Sequence, residues 1–344
     1  MKKIISSVTV LAGLLAALPA VAQNPAALQQ VDALRLRDLA TPAFGTNAAP
    51  EFYAGETSDV GPQSLLEMKS RRHWLRAYAD EQLIYSDNIF LAENGDGKRG
   101  ADLLVSTINA ALAPDAFTVA EGKLSPRIGY QHQWFNYGLL GDQHLLVLDL
   151  NQSPIPKDSS INVFDFNVSS VFADTTFAWR GWDFTVGVDY RRFLDSKDYN
   201  EFYREIVPRW AAHYTFRFSD TKSIMVGYEG DYRFTETKKP TPVNFNSDYN
   251  DRTDHSFVLT GNWRLCSHAI VQPFYRLQYS AYSHIDQGRR DWLNTFGIGL
   301  ALPFTENIAL RTFVSYEILD TDGSFVQSYH KVDVGGGLNL SVRF

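Results

Sequence analysis

From Tyr329 to Phe344 the chain alternates, residue by residue, between an oily and a wet set. His330, Val332, Val334, Gly336, Leu338, Leu340, Val342 and Phe344 fall on one side of an extended chain. Lys331, Asp333, Gly335, Gly337, Asn339, Ser341 and Arg343 fall on the other. Successive side chains of a strand point to opposite faces, so this period means a strand with one apolar face. At about 3.3 Å per residue the run can cross a bilayer even when tilted. Periodicity alone leaves one alternative, the edge strand of a soluble sandwich.

The other end supplies an address. Lys2 and Lys3 precede a mostly apolar run, Ile4 to Leu18, and Ala20-Val21-Ala22 has the form of a leader cleavage site. Residues 1–22 therefore read as a signal peptide cut before Gln23. No Cys follows the site, which excludes a lipoprotein. Beyond Ala22 no apolar run approaches the roughly 18 residues of a spanning helix. A membrane form of this chain must then be a closed barrel, because only closure satisfies every strand edge in lipid.

Composition fits that form. Hydrophobic residues make up 44%, an ordinary value, because a barrel strand gives only alternate positions to lipid. Aromatic residues reach 14%, which suits girdles at the two membrane interfaces. Loss of Lys2 and Lys3 takes the formal charge from -7 to -9, against a nucleic-acid partner. The single Cys266 excludes an internal disulfide and a cysteine metal site; it reads as a small turn residue, with a reactive thiol as the alternative.

Residues 23–72 lack the strand pattern. Ala26 to Ala40 has a helical spacing, and Ala49 to Gln63 is a Pro-, Gly- and acid-rich linker. This segment reads as a periplasmic N-terminal extension, with a lumen plug or a periplasmic binding arm as alternatives. Residues 73–344 form the barrel. We predict about twelve strands: 74–85, 101–113, 124–137, 161–179, 182–193, 203–218, 222–236, 253–265, 269–283, 291–304, 308–319 and 329–344. Their connections alternate between tight and long. Arg180-Gly181, Ser219–Thr221, Cys266–His268 and Thr305–Asn307 are tight turns, and Pro114–Lys123 is the one long connection on their side. Outer-membrane barrels put short turns in the periplasm and long loops outside, so the parity closes.

The faces agree. Pro208, Trp210, Ala212, Tyr214, Phe216 and Phe218 share the outward phase, as do Ile224, Val226, Tyr228, Gly230, Tyr232 and Phe234. Trp292, Phe296, Ile298, Leu300, Leu302 and Phe304 do so on a third strand. Trp179, Trp182, Phe218, Trp263, Phe304 and Phe344 are expected at the periplasmic girdle. Tyr190, Tyr203, Tyr232, Tyr279, Trp292 and Tyr329 are expected toward the outer rim. In 161–179, Phe164, Phe166, Val168 and Phe172 share one phase while Phe177 and Trp179 take the other. A β-bulge between Ser169 and Thr175 would reconcile them, as would two separate strands.

The inward positions are polar and of mixed sign. The lumen-lining transport candidates are Asp189, Arg191, Arg209, His213, Arg217, Glu229, Asp231, Arg233, Arg276, Arg311, Glu317 and Lys331. Asp183, Arg264, Asp333 and Arg343 share their face. Hairpin geometry sets Arg209 against Asp231, Glu229 against Ala211 and Glu317 against Lys331. The set reads either as a charged channel lining or as a ladder filling a narrow interior.

Other features carry less. His144 to Leu150, within Gly138–Ser160, is apolar enough to enter the lumen or to extend a hairpin. Asp251, Asp254, His255, His284 and Asp286 gather near one outer hairpin end, where a cluster could hold a cation or polarise water. Asp254 and His255 diverge in phase and no nucleophile motif accompanies them, so no catalytic, cofactor or metal residues are assigned. Glu93-Asn94-Gly95-Asp96-Gly97 lacks the later carboxylates of a Ca²⁺ loop. Lys238, Lys239, Arg289 and Arg290 could meet lipopolysaccharide phosphates.

The terminal strand ending in Phe344 resembles the C-terminal assembly signal of Gram-negative outer-membrane β-barrels. That resemblance covers Trp74 to Phe344 and implies an antiparallel up-and-down transmembrane barrel in the outer membrane. It implies the barrel assembly machinery, outer-membrane lipid and lipopolysaccharide as partners. Tyr85-Ser86-Asp87-Asn88-Ile89-Phe90-Leu91, with Asp102 after it, resembles the first hairpin of the β-barrel porin-2 group, often found near exopolysaccharide genes. The expected function is a passive pore or export conduit for small polar or saccharide solutes, without cofactor. The alternatives are a non-conducting structural or surface-polymer-binding barrel and, third, an outer-rim hydrolase. Fold alone decides none of these.

Overall fold

A computed structural model describes residues 74–343, apart from 90, 92, 94–99, 141–160, 239–246, 267–268, 285–287, 306 and 324–325. The expectations for residues 1–73, for the apolar run 144–150, and for Lys239, Asp286 and Phe344 lie outside the described residues.

The alternating runs form strands throughout. They are β1 (Leu75–Ser86), β2 (Ala101–Leu112), β3 (Phe117–Val119), β4 (Gly122–Tyr137), β5 (Phe166–Trp179), β6 (Trp182–Asp195) and β7 (Glu201–Ser219). There follow β8 (Lys222–Thr237), β9 (Arg252–Cys266), β10 (Ala269–Tyr282), β11 (Arg290–Pro303), β12 (Ile308–Thr321) and β13 (Tyr329–Arg343). From β4 onward each strand is antiparallel to the next, and β13 returns to β1 in register from Arg76↔Arg343 to Ser86↔Asp333. β2 pairs directly with β4, while β3 continues the same rung toward the periplasmic end. The result is a closed barrel of twelve strands with one short extra rung. Closure leaves no transmembrane sheet edge unpaired, the condition for life in lipid.

Hairpin registers follow the sequence reading. Arg209 lies opposite Asp231, Ala211 opposite Glu229, and Glu317 opposite Lys331. At the β5–β6 turn Arg180 and Gly181 both have positive φ, 48° and 88°. That is the primed two-residue turn whose twist matches the flanking strands. The outward aromatics stand exposed: Trp179, Trp182, Phe218, Trp263 and Phe304 at the periplasmic end, Trp292 toward the outer rim.

Three expectations are corrected. The segment 161–179 is not strand throughout: Ile161–Phe164 is a single 3-10 turn, and β5 starts at Phe166. No bulge interrupts β5, which runs without a register shift against both β4 and β6. Phe166, Val168 and Phe172 are buried on the lumen face, while Val171 and Trp179 face outward. The change of phase is therefore an apolar lumen wall giving way to a polar one along one continuous strand. Lastly, Tyr203 and Tyr329 are not rim anchors. They share the phase of Glu205 and Lys331 and point inward, 0% and 3% exposed. A buried phenol needs a hydrogen-bond partner, and each has a glutamate within reach.

A candidate functional site in the barrel lumen

Inward-facing alternate residues bring two surfaces together inside the extracellular half of the barrel. One is apolar. Phe135 on β4 stacks on Phe166 of β5 with centroids 4.4 Å apart, and Phe193 on β6 meets Tyr203 of β7 edge-on at 5.1 Å. Ile84 on β1 and Leu103 on β2 complete that wall.

The other surface is a chain of ion pairs. It starts at the periplasmic side, where the half-exposed Arg127 on β4 reaches Asp174 on β5 at 2.6 Å. Arg209 on β7 bridges Asp174 at 2.7 Å and Asp189 on β6 at 3.1 Å. Arg191 then joins Asp189 at 3.0 Å to Glu205 at 2.9 Å. Arg233 on β8 lies 3.8 Å from Glu205, 3.1 Å from Asp231 and 2.9 Å from Asp254 on β9. Arg252 ends the chain, 3.0 Å from Asp254. Tyr203 donates its hydroxyl to Glu205 at 3.2 Å. Five arginines (127, 209, 191, 233, 252) thus alternate with four carboxylates (174, 189, 205, 254), and Asp231, a branch on Arg233, makes the ladder charge-balanced. Its upper members have left water: Glu205 is 1% exposed and Asp254 2%.

Smaller groups stand beside it. His213 Nε2 lies 3.1 Å from Glu229, whose other oxygen is 3.5 Å from Arg276. The His213 ring lies over Gly227, where any Cβ would collide with it. Lys331 sits between Glu317 at 3.4 Å and Asp333 at 3.5 Å, and Tyr329 donates to Glu317 at 2.6 Å. Arg311 lies 3.6 Å from Asp80 of β1. Arg217 is exposed near the periplasmic end of β7.

Of the twelve sequence candidates, the structure places Asp189, Arg191, Arg209, Asp231 and Arg233 in one ladder. His213, Glu229 and Arg276 form a second group, and Glu317 and Lys331 a third. Arg209 faces Asp231 in register, yet its ion-pair partners are Asp174 and Asp189, and Asp231 turns to Arg233. The candidate set omits Asp174, Glu205, Arg127 and Arg252. Glu205 was legible, since it shares the odd-numbered phase of Arg209 on β7. Asp174 was hidden by the expected bulge.

At the outer rim Asp254 turns into the lumen, while His255 faces outward with Nδ1 2.6 Å from the Tyr228 hydroxyl. They do not form one site. Asp248, Asp251 and His284 do approach, with ligand atoms within 4.8 Å of one another, the only such group among the described residues. Outside the membrane strands, burial pushes the Asp165 carboxyl up to about 6, against the opposing pull of the Tyr137 N–H and Lys197.

No family model matches the chain, and no curated protein matches it. Solved structures do. An outer-membrane channel from Pseudomonas putida F1 aligns at 9% identity over 78% of this chain and 96% of its own, with a TM-score of 0.48. The β domain of the Bordetella autotransporter BrkA aligns at 14% identity over 76% and 98%, with a TM-score of 0.43. The translocator domain of NalP from Neisseria meningitidis aligns at 11% over 79% and 90%, with a TM-score of 0.39. The chain has the architecture of a closed antiparallel β-barrel of twelve strands.

Proposed function

We propose that this barrel is a narrow passive pore of the outer membrane for small polar or saccharide solutes. The observation that carries the reading is the charge-balanced ladder from Arg127 to Arg252. Burying ions costs several kcal/mol each, and an apolar filling would close a barrel at lower cost. The ladder's partly exposed members, Arg127, Arg209 and Asp231, would offer hydroxyl-rich solutes hydrogen bonds at successive depths, held in place by the buried members beyond them. Its balance implies weak discrimination between anions and cations. Residues 1–22 would act as the export leader, and 23–72 would lie in the periplasm. Lipopolysaccharide and the barrel assembly machinery are the partners such a protein needs.

The filled outer half of the lumen favours a second reading, a non-conducting structural or surface-polymer-binding barrel: Lys331 and Tyr203 are both 0% exposed. Planar-bilayer recording separates the two. The pore reading expects small, weakly ion-selective steps from the folded chain and larger steps from Arg233→Ala. Silence from both proteins, with folded barrels in the membrane, overturns it in favour of the second.

A further inference from the structure

Glu81 lies on the lipid-facing side of β1. Its register partners, Leu338 on β13 and Ser106 on β2, share that face. The outward run of β1 begins at Leu75 and ends at Tyr85, both exposed. At about 3.3 Å per residue and a tilt near 40°, Glu81 stands roughly 15 Å above Leu75 and roughly 10 Å below Tyr85. That is the interior of an apolar band about 25 Å tall. The side chain is exposed, and its carboxylate accepts a hydrogen bond from Ser106 Oγ at 2.8 Å. Ionisable groups at such depth are costly, and they ordinarily face protein or water rather than hydrocarbon.

The wall around it is unlike the rest of the barrel. The opposite side projects Trp182, Phe184, Trp210 and Phe216 into lipid. Below the rim, the outward positions of β13, β1 and β2 carry no Phe, Tyr or Trp among the described residues. Ala77, Ala79, Ala110 and Gly336 leave a low surface there, bordered by the exposed Ile108 and Leu338. Small side chains let a second backbone surface come close in the membrane, where packing and hydrogen bonds drive association.

We propose that the β13–β1–β2 wall is a two-fold interface with a second copy of this chain, centred on Glu81. Two copies inserted in the same sense, related by an axis along the membrane normal, bring this residue to equal depth on both sides. In its neutral form a carboxyl group carries one donor and one acceptor, so an isologous pair of neutral Glu81 side chains would close two O–H···O bonds between the copies. Each Ser106 hydroxyl continues to donate from the side. Lipid tails offer neither donor nor acceptor, and an unlike partner would need its own polar group at the same depth. The self-complementary pair therefore selects a second copy.

The test uses the full chain in a mild detergent, with mass read by light scattering, and in vesicles, with cysteine cross-linking in a Cys266→Ser background. Heat-modifiable migration on gels reports that each variant is folded. Wild type and Glu81→Gln, whose amide is also self-complementary, are expected as dimers. Glu81→Ala is expected to dimerise roughly tenfold or more weakly, as befits the loss of two buried hydrogen bonds. Ala79→Cys should cross-link, and Val186→Cys on the far wall should not. A monomeric wild type, equal dimerisation of folded Glu81→Ala, or equal cross-linking at both positions would overturn the interface. Should Glu81→Ala fail to fold, Glu81→Gln and the cross-linking pair still decide it.

Discussion

Arg191 on β6 donates to Glu205 on β7 at 2.9 Å, and neither side chain keeps more than a few per cent of its surface in water. Glu205 also takes the Tyr203 hydroxyl and lies 3.8 Å from Arg233. It is the point where three lumen side chains converge. Its removal should be among the most damaging single changes in the barrel.

Glu205→Ala leaves two buried guanidinium groups without this anion. Breaking a buried pair from one side costs about 3–5 kcal/mol. Unfolding by urea in detergent micelles should show a loss of that order. A loss under about 1 kcal/mol would mean that water already reaches the ladder.

Gly227→Ala should displace His213. The new methyl group occupies the volume of the imidazole ring, so the ring must leave its place beside Glu229. Overpacking of this kind costs about 1–3 kcal/mol. Double substitution with His213→Ala should recover the part due to the ring, while Val258, whose Cγ2 lies 2.9 Å from the new Cβ, still has to shift. A double variant as unstable as the single one would place the strain elsewhere.

Val186 projects into lipid from β6, 61% exposed, whereas Thr185 beside it faces the lumen. Val186→Arg should cost about 2–4 kcal/mol near the bilayer midplane, and Thr185→Arg much less. Folding yields into vesicles measure both. The reverse order would invert the assignment of inside and outside.

Asp165 closes the loop after the 3-10 turn and accepts the Tyr137 N–H at 2.8 Å. Its carboxyl titrates near 6 in the folded chain, against an ordinary 3.8. The folded state therefore holds this proton more tightly than the unfolded state does. Stability from this group is greatest below about 3.8 and falls as pH rises toward about 6, then levels off. Asp165→Asn keeps the acceptor and removes the penalty. The variant should melt higher than wild type at pH 8 and no higher at pH 3.5. An equal gain at both pH values would show that titration is not its source.

Much of the architecture could be read before any tertiary contact was known. The alternation in Tyr329–Phe344 specifies a strand and its outward face, and the tight turn at Ser219–Thr221 specifies the hairpin register of Arg209 with Asp231. These are local properties: a tight turn permits few registers, and a slip of one residue turns every side chain to the wrong side. Phase also contained the inward direction of Tyr203 and Tyr329, but a preference for tyrosine at membrane rims spoke against it. In β5 an apolar inward face looked like a lipid-facing one, because alternation says which residues share a side but not which side is the lumen.

By itself, then, the sequence determined the strands, their hairpins, their count and most of their faces. Only the closed tertiary structure decided which charges meet. Arg209 binds Asp174 two strands away rather than its register partner, and Arg311 on β12 reaches Asp80 on β1 across the seam. The physical reason is reach and curvature: long guanidinium side chains span diagonals, and closing a tilted sheet sets neighbours that no hairpin specifies.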